Sequence, residues 1–232
     1  MARKYKHLFF DLDNTLFDFS ASEQLVLQDL YQKHLLDSPF QNLEEFLTLY
    51  ESINESLWSD YREHKIGKEA VKYGRFSQTL EAKNIQNHSL ARYMGDTFVK
   101  QCTENKTLVE GAKELIQALY DKYELHIVSN GFVEAQYRKL EITGLRPYFK
   151  GITLSEEIKV QKPHSSFFEH AFKTVNARKS ESLIIGDSWE SDIEGAINFG
   201  VDAIYFSYNG KAPQKSEVKT IFKLNELLKI LD

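Results

Sequence analysis

The sequence predicts an α/β fold, a Rossmann-like doubly wound parallel sheet with an all-helical domain inserted after its first strand. Three observations carry this. Short apolar runs without alternation recur along the chain, as strands buried on both faces require. From about residue 110 these runs alternate with segments of helical periodicity, the pattern of a doubly wound sheet. Residues 18–106 hold no strand-like run and present helical faces instead.

The first run is His7-Leu8-Phe9-Phe10, ended by Asp11. Helices are then expected over 20–36, 68–82 and 88–104. Between the first two, Leu43, Phe46, Leu47, Tyr50, Ile53, Leu57 and Tyr61 trace one face of a further helix. Asn42 with Glu45 three residues later has the form of a capping-box start. A connection of roughly ninety residues is too long for a loop and reads as an inserted domain. Such a domain is placed to cover the carboxyl edge of the sheet, where open α/β folds bind ligands. The expected division is a core over 1–17 and 107–232 and an insertion over 18–106.

Ala112, Leu115, Ile116 and Leu119 follow helical spacing before the second run, Leu125-His126-Ile127-Val128-Ser129. A weaker third run is Gly151-Ile152-Thr153-Leu154. A helix through Phe167, Phe168, Ala171, Phe172 and Val175 precedes the fourth, Leu183-Ile184-Ile185-Gly186-Asp187. Ile193, Ala196 and Ile197 precede the fifth, Ala203-Ile204-Tyr205-Phe206. Residues 211–219 read as a solvated connector to a last helix over 224–231.

Composition narrows the function classes. A chain of 232 residues suits one large domain or a core with an insertion, and 42% hydrophobic residues can fill a core. Lys and Arg number 29 against 34 Asp and Glu, a net charge of −5. That balance gives no electrostatic footprint for duplex nucleic acid, though a local positive site can still hold a small anion. Cys102 is the only cysteine, which excludes an internal disulfide and a multi-cysteine zinc site. No run approaches the roughly 18 apolar residues of a membrane span, and residues 1–10 lack a signal-peptide core. The expectation is a cytoplasmic protein with a small-molecule partner and neither nucleic acid, membrane nor protein partner.

Four of the runs deliver polar residues to the same edge of the sheet. The first ends in Asp11-Leu12-Asp13-Asn14-Thr15. Two carboxylates so close in a partly dry crevice repel each other unless a hard cation such as Mg²⁺, with its preference for oxygen ligands, joins them. The second ends in Ser129-Asn130-Gly131, whose hydroxyl, amide and backbone can donate to phosphate oxygens. Past the third lies Lys162-Pro163, a point charge for phosphate or for Asp11. The fourth gives Gly186-Asp187 and, five residues after that Asp, Asp192: a cation ligand and a carboxylate that can orient its waters. Each string alone also suits an ordinary cap, turn or surface residue. Together they are the parts of phosphoryl transfer through an aspartyl-phosphate.

In these four ordered strings the sequence resembles the haloacid dehalogenase-like hydrolases. Asp11-Leu12-Asp13-Asn14-Thr15 resembles that superfamily's DxDxT motif; Ser129, Lys162 and Gly186-Asp187 with Asp192 resemble the other three. The resemblance implies Asp11 as nucleophile and Asp13 as general acid, then base. It implies Ser129 and Lys162 on the phosphoryl group. Mg²⁺ would be held by Asp11, the Asp13 carbonyl and Asp187, with Asp192 in support. An Asp at position 13 favours a phosphatase over a dehalogenase. One departure is Lys159, where many relatives carry glycine. The insertion corresponds to the superfamily's C1 cap. Leu57-Trp58-Ser59-Asp60-Tyr61, Gly74-Arg75-Phe76, Ser129-Asn130-Gly131-Phe132 and Ser155-Glu156-Glu157 resemble the YjjG/YfnB-type pyrimidine 5′-nucleotidase branch. That implies a nucleoside 5′-monophosphate substrate, with Trp58, Tyr61, Arg62, Arg75 and Phe76 as candidate contacts. As core aromatics of a helical bundle, Trp58, Tyr61 and Phe76 have an equally simple reading. A sugar-phosphate phosphatase, a mutase, a dehalogenase and a non-catalytic phosphometabolite-binding module remain as alternatives.

Overall fold

β1 (His7–Phe10) is buried along its whole length because it is the centre of a sheet and feeds both faces. It pairs in parallel with β2 (Glu124–Ser129) on one side and β4 (Ser182–Gly186) on the other. β3 (Phe149–Leu154), β5 (Asp202–Phe206) and β6 (Lys219–Ile221) complete the parallel order β3-β2-β1-β4-β5-β6. The computed structural model describes residues 4–211 and 217–231. Chain order reverses between β1 and β4, and the crevice beyond their carboxyl ends is the topological switch point. Five strands coincide with the apolar runs. β6 gives no sequence signal because only Ile221 of its three residues is buried. It also begins at Lys219, inside the stretch expected to be a connector; residues 212–216 of that stretch lie outside the described residues.

The chain divides into two compact units, Met1–Phe19 with Lys106–Asp232, and Ser20–Asn105. The second is helical. α1 (Phe19–His34) leads into it, followed by α2 (Leu43–Arg62), α3 (Lys68–Glu81) and α4 (His88–Glu104). Asn42 caps α2: its Oδ1 accepts from the Glu45 N–H at 2.9 Å. The Glu45 carboxylate reaches back to the Gln41 N–H at 2.7 Å, one residue before a strict capping box. The interior is aromatic, with ring centroids of Tyr50, Phe76 and Phe98 5.3–5.9 Å apart. A side chain at Gly95 would stand 2.8 Å from the Lys72 carbonyl, so glycine there lets α3 and α4 approach closely.

In the first unit, α5 (Ala112–Tyr120), α6 (Val133–Ile142), α7 (Ser155–Ile158), α8 (Ser165–Thr174), α9 (Gly195–Phe199) and α10 (Glu226–Leu231) flank the sheet. Leu8 and Phe10 pack with α5 and α10 residues such as Leu115, Leu119 and Leu227. Phe9 points the other way, into Phe168 and Phe172 of α8 and Phe199 of α9; its ring stacks on Phe172 at 4.4 Å. Burying a phenylalanine this way stabilises by about 1.5–3 kcal/mol. α6 escapes the sequence reading because its buried face mixes Ala135 and Leu140 with Gln136 and Lys139, which breaks the apolar period. A π-helical turn, Trp189–Glu194, stands where the sequence predicts a regular helix after β4. Lys159 has φ of 57°, the left-handed region that favours glycine, the residue the family resemblance leads one to expect there.

Candidate active site

The site is built where β1 and β4 end side by side. The Asp11 N–H still bonds the Ile185 carbonyl at 2.9 Å, so the ladder with β4 fixes its backbone. The chain then turns at once. The Leu12 carbonyl accepts from Leu16 and Phe17, at 2.9 and 2.8 Å, and Asn14 takes φ of 56°. This turn brings the Thr15 hydroxyl to the Asp187 carboxylate at 3.3 Å. Thr15 is fully buried, and its contact joins the two strand ends.

Lys162 is only 2% exposed, and its ammonium has three acceptors. Asp11 and Asp192 each accept at 2.6 Å and the Val128 carbonyl at 2.9 Å. Asn130 sets the lysine in place: its side-chain oxygen accepts from the Lys162 N–H and its NH₂ donates to the Lys162 carbonyl, both at 2.9 Å. The sequence suggests Asn130 as a phosphate donor; its amide here clamps the backbone of the residue that carries the charge. Ser129, buried at the end of β2, accepts from the Gly131 N–H at 3.1 Å. Its own proton remains available to an incoming oxygen. Asp192 is fully buried and also accepts from the Ser188 N–H at 3.1 Å. A methyl at Gly186 would fall 2.2 Å from its Oδ2, so glycine at the end of β4 makes room for this carboxylate.

Carboxylate oxygens of Asp11, Asp187 and Asp192 lie within 4.8 Å of one another, and the Lys162 ammonium pairs with two of the three, Asp11 and Asp192. Burial pushes the Asp11 carboxyl up to about 7; Lys162 pulls it back, while Asp192 and Asp13 push it further. Burial, with the charges of Asp11 and Asp192, drives Asp187 well above the usual carboxylate range. For Lys162 burial works to lower the pKa, but Asp11 and Asp192 outweigh it and hold the ammonium above its ordinary value. An all-oxygen set with surplus negative charge suits a hard divalent cation.

Asp13 is held by α6. Lys139 Nζ donates to its Oδ1 at 2.5 Å and Gln136 Nε2 to its Oδ2 at 2.8 Å. Neither residue is found from the sequence, and no spacing pattern marks them; the fold brings them 123 and 126 positions back to Asp13. In the helical unit, Trp58 and Tyr61 pack edge to face at 5.6 Å, and Trp58 and Arg62 are half-buried. Arg75 and Phe76 lie inside that unit's core. The Arg75 guanidinium donates to the Val71 carbonyl and the Tyr50 hydroxyl and stands over the Phe98 ring.

A family model for haloacid dehalogenase-like hydrolases matches residues 5–200. The chain belongs to this family. The hydrolase is 33% identical to the HAD-family protein YfnB of Bacillus subtilis, over 99% of this chain and 97% of that one. It is 32% identical to the pyrimidine 5′-nucleotidase YjjG of Escherichia coli, over 98% of both. Identity to the pyrimidine 5′-nucleotidase PynA of Streptococcus pneumoniae is 29%, over 98% of this chain and 95% of that one. The crystal structure of magnesium-bound YfnB superposes with a TM-score of 0.86, covering 99% of each chain. Among the described residues of the hydrolase, no helix is long and apolar enough to cross a membrane.

A second group of titratable residues sits at the opposite, amino-terminal edge. His7 Nδ1 and His126 Nε2 are 3.1 Å apart, with Glu124 beside them. Glu124 is engaged by Lys6 and Lys150, both at 3.5 Å, and the histidines bond each other.

Proposed function

We propose that this hydrolase is a phosphomonoesterase that works through an aspartyl-phosphate on Asp11, with a pyrimidine nucleoside 5′-monophosphate as its preferred substrate. The observation that carries the reaction is the buried Lys162 ammonium joining Asp11 and Asp192 at the switch point. It balances charge on the nucleophile and stands where phosphoryl oxygens would arrive. Asp11 attacks phosphorus, the ester bond breaks, and Asp13 gives the leaving oxygen its proton. Water then attacks the phosphorus, Asp13 takes the water's proton, and Asp11 is released with inorganic phosphate. Ser129 and Lys162 hold the phosphoryl oxygens through both transfers. Mg²⁺ fits the donor set: Asp11, Asp187 and the Asp13 carbonyl would hold it, with Asp192 orienting the site, and it would supply charge neutralisation between Asp11 and a phosphate dianion.

The substrate reading is supported by YjjG and PynA, both pyrimidine 5′-nucleotidases matched over nearly the whole chain. The two compact units serve as catalytic core and cap. Magnesium-bound YfnB reveals interdomain movement, which supports a cap that opens and closes. Trp58, Tyr61 and Arg62 are the cap candidates for nucleotide contact, whereas Arg75 and Phe76 serve the cap's own packing.

The test is phosphate release from a panel of nucleoside and sugar monophosphates, with Mg²⁺ and with EDTA, for wild type and Asp11→Asn. Mg²⁺-dependent release that favours pyrimidine monophosphates and vanishes in the variant is expected. Activity in Asp11→Asn would remove the nucleophile assignment. A preference for sugar phosphates would keep the chemistry and overturn the substrate.

A further inference from the structure

We infer that Lys139, Gln136 and Gly131 are positioning residues for Asp13: the first two fix its carboxylate, and the third leaves the space through which Gln136 reaches it. This rests on the phosphatase reading of Asp13 as proton donor. The geometry is specific. Each carboxylate oxygen has its own donor, Lys139 on Oδ1 at 2.5 Å and Gln136 on Oδ2 at 2.8 Å. Held at both oxygens, the carboxylate cannot rotate. Each oxygen accepts more than one hydrogen bond, so a lone pair stays available on the partly open side, where the Asp13 side chain is 28% exposed.

Both donors are almost wholly buried, Gln136 at 1% and Lys139 at 2% exposure. Long polar side chains are costly to bury and persist where they are bonded. Gln136 is only half satisfied, since its Oε1 has no partner among the described residues. Its place is therefore explained by the Asp13 end. Gly131 adds independent evidence. A Cβ there would fall 1.6 Å from Gln136 Nε2 and 2.6 Å from its Cδ. Glycine in the Ser129-Asn130-Gly131 string is thus required by a side chain five residues later, on its way to Asp13. Lys139 also stands over the rings of Phe17 and Phe19, at 5.1 and 4.7 Å. Those residues end the segment that leads into the helical unit at Ser20. The ammonium that orients Asp13 is seated on the linker out of the core.

Positioning predicts a dependence on leaving group. An alkoxide needs the proton that Asp13 delivers, and a 4-nitrophenolate leaves without one. kcat/KM reports the first transfer, so it isolates this step. The experiment compares a pyrimidine nucleoside 5′-monophosphate with 4-nitrophenyl phosphate, both with Mg²⁺, for wild type, Lys139→Met, Lys139→Arg, Gln136→Leu, Gly131→Ala and the Gly131→Ala/Gln136→Leu double variant. Lys139→Met should lower kcat/KM for the nucleotide about tenfold to a hundredfold and for the aryl ester less than about threefold. Lys139→Arg should restore most of the loss. Gly131→Ala should reproduce Gln136→Leu, and the double variant should be no worse than either by more than about twofold, the mark of one shared contact. Equal losses on both esters, no loss on the nucleotide, or losses that multiply in the double variant would each overturn the inference. Should Lys139→Met fail to fold, Gln136→Leu and Gly131→Ala carry the same comparison. A wild type inactive on both esters would instead overturn the phosphatase reading on which the inference stands.

Discussion

Replacing Lys162 by methionine tests the electrostatic frame of the site directly. The side chain keeps its length and loses its charge. Asp11 and Asp192, each 2.6 Å from the lost ammonium, are then left buried with no cation between them. Removing one partner of a buried ion pair costs about 3–5 kcal/mol, because the other charge stays desolvated. Asp192 is fully buried and, among the described residues, keeps the Ser188 N–H as the one remaining donor to its side chain, so the upper half of that range applies at neutral pH. For a chain of this size each kcal/mol moves the melting temperature by about 2–4 °C, so Lys162→Met should melt roughly 8–20 °C below wild type. Circular dichroism melts at pH 7.5 read this. A second substitution, Asp192→Leu, removes one stranded carboxylate and should recover part of the loss, a coupling of the kind neighbouring sites show. A single variant melting within about 3 °C of wild type would refute the reasoning, since no buried ion pair would then depend on Lys162.

Three further outcomes follow. His126 is neutral in the fold: burial first, then the neighbouring His7, lowers its pKa from 6.5 to about 3. The unfolded chain takes up that proton first, so stability is present above pH 6.5 and falls toward pH 3. The slope is at most about 1.4 kcal/mol per pH unit. Urea midpoints between pH 7 and 5 should fall faster for wild type than for His126→Leu, and parallel slopes would refute this. Gly186→Ala places a methyl 2.2 Å from Asp192 Oδ2 and should cost about 1–3 kcal/mol together with phosphate release. Gly67→Ala, where nothing stands within 4 Å, should cost no more than about 1 kcal/mol, for the poorer N-cap it gives α3, and equal melts for the two would count against the clash. Arg75→Met should shift the melting temperature yet leave KM for the nucleotide within about twofold, because the guanidinium is enclosed by Val71, Tyr50 and Phe98. A tenfold rise in KM would return Arg75 to the substrate site.

The sheet and the four site strings were legible because both depend on short, local patterns. A strand such as Leu8 to Phe10 is apolar on both faces, and a carboxylate directly after such a run, here Asp11, declares itself. Asp11 and Asp187 drew notice from the apolar runs they follow, whereas Lys162 and Asp192 stood out only as members of the ordered set of four strings. Gln136 and Lys139 could not be seen this way. They are polar residues on the buried face of α6, and their reason for burial lies at Asp13, more than a hundred positions earlier. Asn130 was legible as a site residue, but its clamp on the Lys162 backbone exists only once β2 and the Lys162 loop are assembled. Arg75 illustrates the converse. Beside Phe76 its string suggests a polar contact to substrate, and the burial of its guanidinium among α2, α3 and α4 has no counterpart in the sequence pattern.

The central position of β1 has a consequence for how the molecule is made. His7 pairs with Glu124 and Ser182, so its two partners emerge from the ribosome 117 and 175 residues later. At about 5–20 residues per second, β1 waits roughly 6–23 s for its first neighbour and longer for its second. Helices α1 to α4 rely on nearby contacts and can close during that interval. Leu8, Phe9 and Phe10 meanwhile stay without a sheet, an apolar tripeptide on a nascent chain. Asp11 is thus made before nearly all of the fold it belongs to and is among the last residues to acquire its surroundings. Translation pauses placed between residues 124 and 182 should lengthen the time during which a chaperone finds that segment.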